Sequence, residues 1–150
     1  MIIDGRLLFS NRQAIAGVTA LSTNSIDLGR TPSTNEDTPQ TFPVRSLAEA
    51  GKLMLDVRII TLVGGGALRF ELVTDDAAAF GTPVVRLDSG VILAASAPSG
   101  SRFILPVPAT VNFERFVRLN YIVPAGTTYT ITAGLTLDSA NWHGHPDAIN

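Results

Sequence analysis

The sequence predicts an all-β fold, a jelly-roll-like antiparallel β-sandwich of about eight strands with a long Pro-rich surface loop. Three observations predict it. The C-terminal third alternates apolar and polar residues on both sides of a Pro124-Ala125-Gly126 connector, the period-2 signature of half-buried strands. A second pair of alternating segments flanks Gly64-Gly65-Gly66. The remaining chain breaks into short β-prone runs divided by Gly, Pro, Ser and Asp, with no long helical pattern.

Taken in order, Leu7-Leu8-Phe9 and Ile15 to Leu21 read as short strands, followed by Ser25 to Leu28 and a stop at Gly29. Residues 29–43 carry Pro32, Pro39 and Pro43 among Ser, Thr, Asn, Glu and Asp. This predicts an irregular surface excursion; loops so long are uncommon in compact domains, and the segment reads either as a partner-contacting arm or as a plain solvated loop. Ser46-Leu47-Ala48-Glu49 fits a capping box for one helical turn.

Leu53 to Leu62 and Leu68 to Thr74 predict a hairpin about the glycines. A two-residue turn there would set Val57 opposite Leu72 and Ile59 opposite Phe70, with Arg58 facing Glu71 outside. Asp75-Asp76 before Ala77-Ala78-Ala79 could start a short helix. Val84 to Leu87, Val91 to Ala95 and Phe103 to Val107 supply further strands.

The last pair runs from Arg115 to Val123 and from Thr127 to Leu137. Its short connector predicts a hairpin with Tyr121 opposite Tyr129, Leu119 opposite Ile131 and Val117 opposite Ala133, so that both apolar sets share the core face. The Thr face of the final strand is expected outside.

At 150 residues and 15.9 kDa the chain is long enough for one core, and a single domain over 1–150 is expected, with 139–150 as a C-terminal tail. No apolar run approaches the roughly 18 residues that span a membrane. Met1-Ile2-Ile3-Asp4 has neither the basic start nor the apolar run of a secretion signal, so synthesis in a cytoplasm is expected. The absence of cysteine excludes disulfides, thiolate zinc sites and a cysteine nucleophile.

The formal charge is −2, and Asp56/Arg58, Arg69/Glu71 and Arg86/Asp88 alternate in sign along predicted strands. Such pairing leaves no basic stripe for phosphates, so nucleic acid is not an expected partner. The basic residues are Arg except for Lys52. Arg favours protein interfaces through its planar fork and weak hydration, although the codon bias of a GC-rich genome would give the same excess. Arg30, Arg45, Arg118 and Trp142 are the candidate partner contacts.

The only histidines, His143 and His145, form an H-x-H pair, which in cupin-type jelly rolls helps to bind a metal. Here no Glu follows and no strand remains to bring a further ligand, so a loosely ordered tail is the better reading and no metal is expected. The three glycines lack the Gly-Lys-Ser/Thr ending of a phosphate loop. There is no Gly-x-Ser-x-Gly elbow, and the carboxylates sit beside arginines or in turns. No catalytic residue and no cofactor is expected.

Met1-Ile2-Ile3-Asp4 with Leu7-Leu8-Phe9-Ser10-Asn11-Arg12-Gln13-Ala14, and Ser22-Thr23-Asn24-Ser25-Ile26-Asp27-Leu28-Gly29, resemble the opening of the capsid cement proteins of tailed double-stranded DNA phages, Bordetella-phage type. Arg115-Phe116-Val117-Arg118-Leu119-Asn120-Tyr121 and Thr132-Ala133-Gly134-Leu135-Thr136-Leu137-Asp138 look like that family's close. The resemblance runs from residue 1 to about 138 and departs at Trp142 to Asn150 and in the Pro-rich loop. It implies a jelly-roll decoration protein without catalytic residues, bound outside an HK97-like shell at junctions between major capsid subunits. It also implies a homodimer, with a trimer as the alternative, made in the bacterial host cytoplasm and carried on the virion. The rival expectations are a jelly-roll receptor- or carbohydrate-binding module of a phage fibre or bacterium, and a cupin-like enzyme.

Overall fold

The computed structural model describes residues 7–28, 53–108 and 113–137. The excursion at 29–43, the capping box at 46–49 and the tail lie outside the described residues. Among the described residues there are nine strands: β1 Leu8–Ala16, β2 Thr19–Leu21, β3 Ile26–Asp27, β4 Leu53–Val63, β5 Arg69–Asp75, β6 Val84–Asp88, β7 Arg102–Pro106, β8 Phe116–Ile122 and β9 Thr128–Leu137. They form two sheets, one ordered β1-β9-β4-β7 and the other β2-β8-β5-β6, with β3 continuing β2 along β8.

All pairings are antiparallel. In the nested set, β1 lies beside β9, β2 and β3 beside β8, β4 beside β7 and β5 beside β6. That nesting is a long antiparallel ribbon rolled up into two facing sheets, which is the jelly roll. The all-β sandwich expected from the alternation is therefore the fold.

Each sheet turns its apolar set inward. Phe9, Ile15, Leu55, Val57, Ile59, Tyr129, Ile131, Ala133 and Leu135 from the first sheet meet Phe70, Leu72, Val117, Leu119 and Tyr121 from the second, all almost inaccessible to water. Phe103 of β7 meets Phe70 of β5 across the gap, ring centroids 6.1 Å apart, within the range of favourable tilted aromatic pairs. The core residues are those the period-2 pattern selects.

The strand pairing differs from the sequence expectation at both predicted hairpins. β8 and β9 are not neighbours: β8 pairs with β5, β2 and β3, while β9 pairs with β1 and β4. Tyr121 lies opposite Ala20 and Phe70, and Tyr129 opposite Ile15 and Leu62. Likewise β4 and β5 lie in different sheets, and Arg58 faces Thr132 and Arg102 rather than Glu71. Each connector is an arch that carries the chain from one sheet to the other. An arch and a hairpin bury the same alternating residues, so alternation alone does not separate them. The arch makes β4, β5, β8 and β9 central strands with a partner on both sides.

Three smaller expectations change as well. The segments Leu7–Phe9 and Ile15–Leu21 merge into β1, whose pairing with β9 carries two irregularities, and into β2. After Asp75 there is a turn and no helix, because the Asp75 carboxylate takes the amides of Ala77 (2.8 Å) and Thr82 (2.9 Å) and Phe80 adopts φ +52°. Val91 to Ala95 is a single bridge, Leu68 to Ile92, followed by a 3-10 turn at Ala94–Ser96. Val91 and Leu93 remain exposed there.

Candidate functional site

Three chain connections meet at one end of the sandwich, and Thr127 joins them. Its backbone oxygen accepts the Gly17 amide at 2.9 Å, its Oγ1 accepts the Gly66 amide at 2.8 Å, and its own amide reaches Pro124 O at 3.3 Å. Tyr129 donates its hydroxyl to Gly66 O at 2.8 Å. A side chain on Gly66 would collide with Pro124 and Thr127, and Gly126 holds φ +78°. Both glycines are thus required by geometry. This end of the molecule is closed by hydrogen bonds between backbones that already belong to opposite sheets.

A second tie crosses the interior. Ser10 Oγ donates to Gln13 Oε1 at 2.7 Å, so the buried Tyr121 hydroxyl, 2.8 Å from Ser10 Oγ, is the donor in that pair. Gln13 continues the chain to Leu21 O and accepts from the Thr23 amide. Burial drives the Tyr121 phenol well above its usual pKa, with Ser10 opposing the shift. Burial also raises Tyr129. Neither tyrosine is on the surface, so neither serves as a stacking platform for a ligand.

The outer face of the second sheet is covered and self-compensated. Val73 and Phe80 are buried outside the main core cluster, and the Arg118 guanidinium lies 5.3 Å over the Phe80 ring. The loop after β5 therefore folds back over this face. Arg118 also reaches Thr23 O at 3.3 Å, and its buried Nε has no hydrogen-bond partner. Of the four candidate contacts, Arg118 is the one among the described residues, and it clamps this loop. Arg30, Arg45 and Trp142 lie outside them.

Nearby, Arg69 grips Asp88 through two bonds (3.0 and 2.7 Å) and reaches Glu71 at 2.8 Å, while Asn120 donates to Glu71 at 3.0 Å. Arg115 holds Asp27 through two bonds, and Arg86 approaches Glu114 at 3.9 Å. The Arg69 hydrogen bond, then the Gly90 amide, hold Asp88 below the usual carboxylate range. Arg86 Nε donates to the buried Thr74 Oγ1 at 3.0 Å, and that hydroxyl donates to Glu114 at 2.9 Å.

The outer face of the first sheet is different. Thr128, Thr130 and Thr132 of β9 line it, and Thr61 of β4 bonds Thr130 at 2.8 Å. Arg58 and Arg102 stand directly opposite one another on β4 and β7, a like-charge pairing that destabilises a sheet unless something intervenes. Asp56 intervenes. It is fully buried on this outer face, takes Arg102 through two bonds (2.9 and 3.1 Å) and holds Arg58 at 3.3 Å. A shallow depression of about 350 Å³ lies between the two guanidiniums, lined by Ile59, Ile60 and Gly100 as well. Arg12 of β1 is exposed, and its amide donates to Thr132 Oγ1 at 3.0 Å.

The sequence reading singled out Asp56 and Arg58 but not Arg102, because the pairing of β4 with β7 is a tertiary fact. Among the described residues no three His, Cys, Asp or Glu side chains converge as metal ligands. His143 and His145 lie outside them. No helix among these residues is long and apolar enough to cross a membrane.

A family model, Bbp16, matches residues 9–138, all but the two ends of the chain. The chain belongs to the Bbp16 family. The family takes its name from a Bordetella phage protein, so this Bbp16 member is a phage protein. No curated protein matches the chain. The matched span includes the connector cluster at Thr127, the Asp56 cluster and all nine strands save the first residue of β1.

Proposed function

We propose that this Bbp16-family chain is a non-enzymatic capsid cement protein. It binds the outer surface of an HK97-like phage shell at junctions between major capsid subunits and braces the shell against the pressure of packaged DNA. The observation that carries the reading is the Bbp16 match over a jelly roll whose arches are tied to each other at Thr127. A brace must resist shear, and a sandwich closed by hydrogen bonds between its crossing connections has few soft modes at that end.

The partner is the major capsid protein, and the copies act as a homodimer, an isologous contact being the commonest symmetry. Two footprints per dimer turn modest single-site affinity into long residence through effective concentration. The protein is made in the bacterial cytoplasm and works on the outside of the virion. A carbohydrate-binding module is disfavoured by the burial of both tyrosines, which removes them as a sugar-stacking platform.

Co-sedimentation with expanded shells that lack the protein tests this reading. Retention on shells and none on unassembled capsid protein is the expected result. Equal binding to free capsid subunits, or no binding to shells, overturns it.

A further inference from the structure

We propose that two copies of this chain meet through the end of the sandwich at which the β1–β2, β4–β5, β6–β7 and β8–β9 connections gather. The inference rests on the homodimer of the reading above and names the surface that forms it.

The first observation is composition. Residues 17–18, 63–68, 89–101 and 123–127 form these connections together with the last residue of β4, and none of them is charged in a chain that is 16% charged. Val63, Val91, Leu93 and Val18 are exposed there by 67, 69, 66 and 51%, the highest values of any large apolar side chain among the described residues. The surface is continuous. Val18 O takes the Val123 amide at 3.2 Å, Gly64 beside Val63 abuts the Gly126 backbone, and Pro124 shares a depression with Val91. A contiguous apolar surface left in water marks a contact site.

The second observation is order. Thr127 ties three of the connections, and the fourth is laid against them: Leu68 and Ile92 exchange backbone bonds at 2.8 Å, while the Gly100 amide reaches Ile59 O at 2.8 Å and Ser99 Oγ accepts the Leu62 amide at 2.9 Å. Leu68, Val91, Ile122 and Pro124 line the depression, of about 310 Å³, which offers a seat for an apolar side chain. Arg69 also borders it, with its guanidinium held by Asp88 and Glu71. A surface ordered in advance loses little freedom on contact.

Charge selects the occupant. An isologous contact sets residues near its two-fold axis against their own copies, so a charge placed there meets its like, at high cost. The outer faces of both sheets carry arginines and carboxylates, and the opposite end carries Asp27, Asp76 and Arg115. The connection end alone meets itself without such a clash among the described residues. The formal charge of −2 also leaves little long-range repulsion between copies. A charged partner would instead lose its water here without finding a counter-charge.

Sedimentation equilibrium of the full-length protein tests this without shells. The wild type is expected as a concentration-dependent dimer. Val91→Glu with Leu93→Glu, and separately Val91→Lys with Leu93→Lys, should each weaken dimerisation by about tenfold or more, at an unchanged melting midpoint because both side chains are exposed. An equimolar mixture of the two variants should recover dimers, since opposite charges then face each other, and that rescue excludes misfolding as the cause of either loss. Leu93→Ser alone serves should a double variant fail to fold, with a loss of about threefold or more expected. Val84→Glu with Val85→Glu, on the edge strand β6, should dimerise as the wild type does.

Dimers of wild-type strength in both charged variants overturn the surface and leave the cement reading standing. A wild-type monomer or trimer overturns the two-fold contact, and a monomer whose shell binding is lost with Val91→Glu and Leu93→Glu assigns this end to the shell instead. A dimer through this end that fails to sediment with shells supports the inference and overturns the cement reading.

Discussion

Thr127 Oγ1 accepts the amide of Gly66 across the end of the sandwich at 2.8 Å, so one side chain of the β8–β9 arch holds the backbone of the β4–β5 arch. Thr127→Val preserves the shape and removes the acceptor. The half-buried Gly66 amide then loses its partner, and a stability loss of about 1–2 kcal/mol is expected. A melting midpoint lower by roughly 2–8 °C would register it, and an unchanged midpoint would mean that water replaces the hydroxyl at no cost.

Gly126 sits at φ +78° with open space around its Cα hydrogens, so a substitution there is opposed by backbone strain alone. Gly126→Val should cost about 1 kcal/mol or more. Gly66→Ala should cost about 1–3 kcal/mol for a different reason, a steric clash with Pro124 and Thr127. Denaturant midpoints of the two variants check both, and a Gly66→Ala protein as stable as the parent would contradict the close approach of the arches.

Asp56 keeps Arg58 and Arg102 apart in charge although they are opposite in register. Asp56→Ala leaves two like charges facing each other, and a loss of about 1–3 kcal/mol is expected. The double variant Asp56→Ala, Arg102→Leu should recover part of it, because the repulsion is removed together with its remedy. Chemical denaturation of the two variants measures the recovery, and its absence would show that Asp56 acts by hydrogen bonding alone.

Both tyrosines of the chain have phenols raised by burial. A group whose folded pKa lies above its unfolded value gives stability that is complete below the unfolded value, about 10, and is lost as pH rises through the folded one. Tyrosinate absorbance at alkaline pH should therefore appear late and together with loss of the near-ultraviolet circular dichroism. A smooth titration of either tyrosine near pH 10 with the fold intact would contradict their burial.

Asp75 and Asp88 move the other way. The amides of Ala77 and then Thr82 hold Asp75 below the usual carboxylate range, and Arg69 does so first for Asp88. A depressed folded pKa gives stability that is present above the unfolded value, about 3.9, and lost as pH falls through the folded value. Acid should loosen the Phe80 loop below about pH 4. Asp75→Asn should flatten this part of the acid profile when amide exchange at Ala77 and Thr82 is followed, and an unaltered profile would assign the acid response elsewhere.

Much of the architecture was legible one strand at a time. The alternation at Val117, Leu119 and Tyr121 and at Tyr129, Ile131 and Ala133 named the buried side chains correctly, because a strand has only two faces and water decides between them. Gly126 was legible as a left-handed turn residue for the same local reason. Partners were not legible. Tyr121 and Tyr129 were expected side by side and stand in opposite sheets, since folding over the core satisfies the pattern as well as folding in plane.

The Asp56 cluster follows that division. Asp56 and Arg58 share a face by their spacing, which the chain alone dictates. Arg102 joins them through the register of β4 with β7, forty-odd residues away in sequence. Composition, the strand faces and the turn glycines were thus fixed locally, by backbone sterics and by the preference of apolar side chains for the interior. Which strands became neighbours, and so which charges met, was decided only when the whole ribbon rolled up, because hydrogen-bonded edges are chemically alike and only the packing of the complete core selects among them.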